Sequence, residues 1–256
     1  MTDSLLLGID FFVRALTLLK PRIYNLAEVR SRPVVVYSDA EWTVLPGPQG
    51  LRKGLGGIMW ADEKCFAAAL DTPIELVEAL QPRKTQIIPL ELMAAAGMLE
   101  TYPEQLRGRE VIFFIDNQSV CCALCNGASK ATDIQTMTTG WHLAALHLGC
   151  RIWIEWVPSE ENPADVLSRW AKCPDFAKDT PVDLLRLPEW VDLRNYATAT
   201  SVLDLVAGHG VRDRTTPEEW RMPPRVCAGF SVEANCEPNR FGRGSSRILQ
   251  DLVTEL

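Results

Sequence analysis

The chain has 256 residues, of which 47% are hydrophobic, and it carries a formal net charge of -7. This composition is sufficient for a full hydrophobic core in one or two domains. No apolar run is long enough to span a bilayer, and the first apolar segment has no preceding basic cluster, which disfavours a membrane span and a signal peptide. Eight scattered cysteines favour a reduced intracellular setting, in the nucleus or the cytoplasm, over secretion.

Acidic charge is concentrated in the middle of the chain, where residues 31–171 contain 11 basic and 17 acidic side chains. A protein that holds nucleic acid mainly by neutralising phosphates is normally basic in the binding region. A function on nucleic acid therefore requires either cations bound among the carboxylates or a basic part elsewhere in a larger protein.

The first part of the chain predicts three strands. Residues 34–39 form an apolar run, and residues 54–60 and 65–70 form two more runs separated by a polar turn. The short link between the second and third strands predicts an antiparallel meander. Residues 71–86 contain two prolines and predict a connection, with a short helix at 74–80.

The next part predicts a helix, a buried strand and two further helices. Residues 89–102 place apolar side chains at three- and four-residue spacing, as in a helix. Residues 111–115 are continuously apolar, which is typical of a strand buried on both faces. Helices are expected at 117–125 and 132–148, each ending near a glycine.

A strand at 151–157 and a short helix at 164–170 complete this pattern. The order of elements predicts an α/β fold with a mixed five-stranded sheet, three antiparallel strands followed by two parallel ones, flanked by helices. We expect residues 1–32 to be a leader, residues 33–172 to be the folded domain, and residues 173–256 to be an irregular, partly disordered C-terminal extension.

Four acidic residues occur in four differently built segments. Asp39 and Asp116 each end an apolar strand, Glu91 lies in the first turn of a predicted helix, and Asp165 follows Asn-Pro-Ala. A carboxylate at the end of a buried strand carries a desolvation cost, so two such strands suggest a purpose beyond packing. The purpose that this suggests is metal binding, although a strand-end Asp taken alone is more often a turn or cap residue, and Glu91 and Asp165 taken alone are explained by a helix start.

The sequence around these acids resembles the ribonuclease H domain attached to the reverse transcriptases of retroelements. The resemblance spans residues 34–170 and consists of four blocks in order: Tyr-Ser-Asp-Ala at Asp39, Pro-Leu-Glu-Leu at Glu91, Ile-Asp-Asn-Gln-Ser at Asp116, and Val-Pro-Ser with Asn-Pro-Ala-Asp-Val-Leu-Ser-Arg at Asp165. One block is weak evidence, whereas four in the right order are strong. The last two blocks look most like tyrosine-recombinase-type retrotransposons and their relatives.

This resemblance implies a ribonuclease H-like fold and a nuclease that cuts the RNA strand of RNA/DNA hybrids. Asp39 would bridge two Mg²⁺ ions, with Glu91, Asp116 and Asp165 completing the ligands and Mn²⁺ as a substitute. Two hard cations about 4 Å apart can activate a water at one side of a phosphodiester and stabilise the leaving oxygen at the other. The leader would be the end of a polymerase or connection region, so a reverse transcriptase polymerase domain is the expected partner.

Substrate contacts are expected at the start of the helix that follows Asp116 and beside the last acid. Amide and hydroxyl side chains next to free backbone N–H donors suit a phosphate or a 2′-hydroxyl, although an ordinary helix cap explains the first of them equally well. Gly56 and Gly57 mark either a close backbone approach by the substrate or a bulge. The four candidate contacts are Asn117, Gln118, Ser119 and Arg169.

One loop departs from the family pattern. Many relatives carry a His before the last acid, but here the loop at 158–162 reads Pro-Ser-Glu-Glu-Asn and the three histidines of the chain lie elsewhere. Glu160 or Glu161 can substitute only in part, because a carboxylate is a different acid–base group. Slower turnover is the expected consequence.

Two alternative functions remain open. The first is a catalytically silent ribonuclease H-like module that binds nucleic acid or serves a structural role, which the missing loop His and the acidic charge favour. The second is a transposase or integrase-like nuclease of the same fold, although those enzymes tend to end their acidic triad with Glu on a helix.

We also expect four tryptophans to pack in the core rather than stack on bases. They are Trp141, Trp153, Trp156 and Trp170.

Overall fold

The computed structural model describes residues 3–18, 32–46, 50–169, 181–196 and 198–208. Single turns of 3-10 helix occupy Ser159–Glu161 and Glu189–Val191. The other elements, in chain order, are α1 Asp3–Leu18, β1 Val34–Ala40, β2 Thr43–Val44, β3 Leu51–Arg52, β4 Gly54–Ala61, β5 Lys64–Asp71, α2 Ile74–Glu78, α3 Ile87–Thr101, α4 Pro103–Leu106, β6 Glu110–Ile115, α5 Gln118–Asn126, α6 Thr132–Leu148, β7 Arg151–Trp156, α7 Asp165–Ser168, β8 Val182–Leu184 and α8 Ala199–Gly208.

The main sheet has the spatial order β7-β6-β1-β4-β5-β8. Strands β1, β4 and β5 are antiparallel neighbours, and β6 and β7 continue the other side of β1 in parallel. The predicted arrangement of three antiparallel strands followed by two parallel strands is therefore confirmed. The sheet has six strands rather than five, because β8 pairs in parallel with the edge strand β5. At three residues, β8 is too short to show a period in the sequence.

Most helices lie on one face of this sheet. Val34 and Val36 of β1 share a continuous core with α3, α5 and α6, in which Trp141 and Phe113 meet edge to face at 5.8 Å. Helix α3 is almost entirely buried, which explains why its apolar residues are not confined to one stripe. The opposite face carries two smaller clusters, one of which buries Leu167 of α7. The position of α7 is therefore set by a different set of contacts from that of α3.

The expectation for the tryptophans is only partly correct. Trp141 is buried, but the side chains of Trp153 and Trp156 are 68% and 43% exposed, and Trp170 lies outside the described residues. The exposed pair lies on β7, which is an edge strand of the sheet. The apolar run at 151–157 therefore predicted the strand correctly but not its place at the edge.

The segment after residue 180 packs on the core, in contrast to the irregular extension expected from residue 173. Beyond β8, Leu185 and Trp190 are 0% and 3% exposed and belong to the main core. A Cβ added at Gly140 of α6 would lie 2.4 Å from the ring of Trp190. The ring can therefore pack against α6 only because residue 140 is a glycine. This segment is held by β5 and by Gly140, which are distant in the sequence. Its packing therefore produces no periodic pattern of apolar residues within the segment itself. The exact domain limits stay a prediction.

Helix α1 lies in the predicted leader and contacts α8. Arg14 of α1 pairs with Asp204 of α8 at 3.1 Å, and Phe11 and Ala15 pack against the main core. The part of the leader that the structure describes is therefore attached to the same core as α8.

Among the described residues, no helix combines the length and apolar character needed to cross a membrane.

The buried position of Trp190 leads to a stability prediction. Replacing Trp190 by Ala should lower the free energy of unfolding by about 3–5 kcal/mol, because the lost side chain leaves a cavity against α6. The same substitution at the exposed Trp153 should cost at most about 0.5 kcal/mol. Urea unfolding followed by circular dichroism measures both values. Equal losses in the two variants would contradict the packing of this segment on the core.

Candidate active site

Three of the four acids meet at one end of the sheet. Strands β1 and β6 are parallel neighbours, so their carboxyl ends lie side by side, with Asp39 near the end of β1 and Asp116 directly after β6. Helix α3 packs on β1 and brings Glu91 to the same place. One carboxylate oxygen of each of Asp39, Glu91 and Asp116 lies within 4.8 Å of the others. The predicted convergence is thus present for these three residues.

The cluster is strongly shielded from water. Asp39 and Glu91 are each 3% exposed, and Asp116 is half-buried. Glu91 Oε2 has no hydrogen-bond partner among the residues that the structure describes. A buried carboxylate oxygen without a donor is costly in a folded protein. Together with the two neighbouring carboxylates, this oxygen offers a set of ligand atoms that can hold a metal ion.

Burial changes the acid–base behaviour of the cluster. It raises the pKa of Asp39 to about 7; the hydrogen bond from Ser168 opposes this shift, and the charges of Asp116 and Asp165 add to it. Burial, followed by the charges of Asp39 and Asp116, also raises the pKa of Glu91 well above its ordinary value. Without a cation, these carboxylates cannot all be ionised at this spacing without a large cost.

The donor set fits a hard divalent cation. All three groups offer carboxylate oxygens, which are the ligands that Mg²⁺ and Mn²⁺ prefer. Oε2 of Glu91 is available for coordination, and a bound cation would stabilise the ionised forms of Asp39 and Glu91 that burial and neighbouring charges disfavour. These residues therefore fit the metal expected from the sequence.

The fourth acid lies beside this cluster rather than within it. Asp165 is the first residue of α7, and its side chain is 29% exposed. One carboxylate oxygen lies 2.7 Å from the guanidinium of Arg169, one helical turn further on. Its charge nevertheless contributes to the raised pKa of Asp39. The predicted convergence of four acids thus holds for three, while Asp165 is adjacent and paired with Arg169, a predicted phosphate contact.

Two glycines of β4 allow α7 to approach the cluster. A Cβ added at Gly54 would lie 1.8 Å from the main-chain oxygen of Ser168, and one at Gly56 would lie 2.4 Å from its nitrogen. Gly56 is also the register partner of Asp39. Gly57 faces the other way, toward Met98 of α3. The space above Gly56 and Gly57 is thus filled by the protein itself, and neither glycine leaves room there for the substrate approach that the sequence suggested.

Asn162 attaches the loop before α7 to the central strand. It is 4% exposed, and its side-chain amide donates to the main-chain oxygen of Ser38 at 3.0 Å. Its Oδ1 accepts from the N–H of Ala164 at 3.1 Å. This role is not evident from the sequence, in which Asn162 is a polar residue directly before a proline. Asn162 positions Asp165 by joining its loop to the strand that carries Asp39.

Two further side chains hold Asp116. The hydroxyl of Ser159 donates to Asp116 Oδ2 at 2.7 Å, and the indole N–H of Trp156 donates to the main-chain oxygen of Asp116 at 2.9 Å. Ser159 belongs to the loop in which relatives often carry a His, whereas Glu160 and Glu161, the expected partial substitutes, are exposed. In this loop, the side chain that reaches the cluster is therefore a neutral hydroxyl.

The predicted substrate residues after Asp116 divide into two groups. Asn117 caps α5, with its Oδ1 accepting from the N–H groups of Ser119 and Val120 at 3.1 and 3.3 Å. Gln118 and Ser119 line an open groove of about 420 Å³ along α5, together with Cys122, Asn126 and Ser129. The cap occupies the Asn117 oxygen, while the groove leaves Gln118 and Ser119 accessible. A role in substrate binding stays a prediction for all three.

No protein-family model matches the chain, and no curated protein matches it. Several solved structures do. An RNase H1 isolated from compost by a metagenomic approach is 16% identical over 55% of this chain and 96% of its own, with a TM-score of 0.41. RNase H1 from Halobacterium salinarum is 19% identical over 56% and 98%, with a TM-score of 0.40.

A protease-reverse transcriptase of prototype foamy virus is also similar, at 12% identity over 60% of this chain and 22% of the viral chain, with a TM-score of 0.34. At these identities and TM-scores, none of the likenesses bears on the activity of this chain. The conclusion that the fold is a mixed sheet with flanking helices, as predicted, is drawn from the strand order and directions described above.

The raised pKa of Asp39 predicts a pH-dependent stability of the metal-free protein. A carboxyl whose folded pKa is about 7 and whose unfolded pKa is near 3.8 favours the folded state while it is protonated. Stability in a chelator should therefore fall as the pH rises from about 4 to about 7. Replacing Asp39 by Asn should reduce this loss, with the raised pKa of Glu91 accounting for the remainder, and stabilise the protein by about 2–4 kcal/mol near pH 8.

Urea unfolding at both ends of this pH range measures the effect. Asp71→Asn is the matched control, because Asp71 is exposed at the end of β5 and paired with Lys53. The control should keep the pH dependence of the wild type. An Asp39→Asn protein that loses stability with pH as the wild type does would contradict the repulsion described here.

The glycines of β4 allow a second prediction. Gly56→Ala should displace α7, because the new Cβ would meet the backbone of Ser168, which cannot move alone. Gly57→Ala should have a smaller effect, because its Cβ would meet the flexible end of Met98. Binding of Mn²⁺ by each folded variant, measured by calorimetry, should be weakened more in Gly56→Ala. The opposite order would contradict the role of α7 in completing the site.

Proposed function

We propose that this chain is a divalent-metal-dependent nuclease that hydrolyses the RNA strand of RNA/DNA hybrids. The observation that carries the proposal is the convergence of Asp39, Glu91 and Asp116, with a buried Glu91 oxygen that lacks a hydrogen-bond partner in the described part of the chain. A structural role alone does not explain three carboxylates within 4.8 Å of one another at the end of a sheet, because their mutual repulsion destabilises the fold.

Asp39, Glu91 and Asp116 would hold the cation, and Asp165 would add a ligand from the adjacent α7. When bound, divalent cations supply an activated water and stabilise the negative charge on the leaving oxygen. Ser159 and Trp156 keep Asp116 in place through its carboxylate and its main-chain oxygen. The protein therefore presents a fixed anionic site, as Mg²⁺ and Mn²⁺ require.

Substrate binding would use the start of α5 beside Asp116. Gln118 and Ser119 are accessible there and offer amide and hydroxyl groups that can contact a 2′-hydroxyl or a phosphate. A 2′-hydroxyl is the group that distinguishes RNA from DNA at a given site. Arg169 would approach a phosphate after leaving Asp165. Bound cations also offset the acidic charge that would otherwise repel the substrate.

We further propose that the nuclease acts as the ribonuclease H part of a retroelement reverse transcriptase, as the four sequence blocks suggest. The acidic character of residues 31–171 then requires that a basic surface of the polymerase domain hold the hybrid, unless cations bound among the carboxylates offset this charge. Comparing the hybrid affinity of this chain with that of a longer protein containing the sequence upstream of residue 1 tests the idea. Equal affinities would argue against such a partner.

Digestion of labelled RNA/DNA hybrid, DNA duplex and RNA duplex with Mg²⁺ or Mn²⁺ tests the activity. The wild type should cut only the RNA strand of the hybrid. Asp39→Asn and Asp116→Asn should lower cleavage by orders of magnitude while remaining folded, because each removes a metal-binding charge from a strand end that cannot readjust. Asp165→Asn should be more tolerant, with Mn²⁺ restoring part of the loss, and Asp71→Asn should cut as the wild type does.

The possible outcomes separate the proposal from its alternatives. A folded wild type that is inert on every substrate with either metal would favour the silent-module alternative. Cleavage of the DNA duplex would favour a transposase or integrase-like nuclease. Cleavage that persists unchanged in Asp39→Asn would show that the assigned site is wrong.

A further inference from the structure

Ser168 connects two parts of the candidate site. Its side chain is 3% exposed, and its hydroxyl contacts Asp39 Oδ2 closely while lying 3.1 Å from the main-chain oxygen of Asp165. A serine hydroxyl carries one proton, so it donates to one of these oxygens at a time. The contact with Asp39 is the closer of the two. Ser168 thus joins the side chain of one acid to the backbone of another.

The backbone around Ser168 is closely held. Its N–H donates to the main-chain oxygen of Ala164 at 3.1 Å, and its own backbone lies against Gly54 and Gly56 of β4. The hydroxyl therefore projects from a fixed point, and it can fix the orientation of whatever side chain it contacts. Asp39 is that side chain, and no other side-chain hydrogen bond to its carboxylate is found among the described residues.

We propose that Ser168 is a positioning residue that orients the Asp39 carboxylate for divalent-cation binding. This inference rests on the proposed function, because it assigns Ser168 a role toward a cation that Asp39 would hold. A carboxylate held by a second hydrogen-bonding group has fewer conformations to lose when it coordinates a metal. Loss of such an outer partner typically weakens metal binding by roughly 10- to 100-fold.

Ser38 is a matched comparison on the same strand. It precedes Asp39, is 0% exposed, and its hydroxyl has no hydrogen-bond partner in the described part of the chain. Alternate residues of a strand point to opposite faces, so the Ser38 hydroxyl lies away from α7. Ser38→Ala and Ser168→Ala thus remove the same group from two buried serines, of which, among the described residues, only Ser168 has a hydrogen bond from its hydroxyl to an acid of the cluster.

The test is Mn²⁺ binding by the full chain, measured as loss of the free-ion signal in electron paramagnetic resonance, with no substrate present. The dissociation constant for Mn²⁺ should rise by roughly 10- to 100-fold in Ser168→Ala and stay within about 2-fold of the wild type in Ser38→Ala. Circular dichroism in a chelator checks that each variant is folded. A folded Ser168→Ala protein that binds Mn²⁺ as the wild type does would overturn the inference.

A second pair of variants separates orientation from packing. Ser168→Thr keeps a hydroxyl and Ser168→Val has nearly the same shape without one, so any packing defect is common to both. Thr should bind Mn²⁺ at least about 10-fold more tightly than Val, and equal affinities would overturn the inference. A folded wild type that binds no Mn²⁺ would overturn the proposed function together with this inference. Binding by the wild type with no difference among the variants would overturn the inference alone.

Discussion

Repulsion among closely spaced carboxylates is the constraint on which the rest of this site depends. Asp39, Glu91 and Asp116 come within 4.8 Å of one another in a largely buried place, and burial raises the pKa of the first two. Such an arrangement lowers the stability of the metal-free protein as the pH rises, so the surrounding fold must hold the groups together. A bound divalent cation would attract each carboxylate and so offset their mutual repulsion.

The surrounding fold meets this constraint with rigid elements on both faces of the sheet. Two parallel strands end side by side and bring Asp39 and Asp116 together, and the buried helix α3 adds Glu91 from one face. On the other face, α7 lies against the glycines of β4, and Ser168 reaches Asp39. Asp39 and Glu91 lie within a strand and a long helix and Asp116 directly follows β6, whereas Asp165 begins a helix of four residues.

Asp165 lies beside the cluster and forms a salt bridge of 2.7 Å with Arg169, one helical turn further along the chain. The side chains of Asp165 and Arg169 are 29% and 47% exposed, so the pair contributes little to stability. The charge of Asp165 still reaches the cluster, because it contributes to the raised pKa of Asp39.

The sequence by itself determined five of the six strands of the main sheet, the helix that carries Glu91 and the two strand-end acids, because continuous apolar runs and helical spacing are local signals. The tertiary structure alone decided that Gly54 and Gly56 lie beneath α7, that β8 extends the sheet, and that Trp153 is exposed. It also decided that Asp165 lies beside the acidic cluster rather than within it. These features depend on which distant segments meet, and on which strand lies at an edge. A period within one segment carries no information about either.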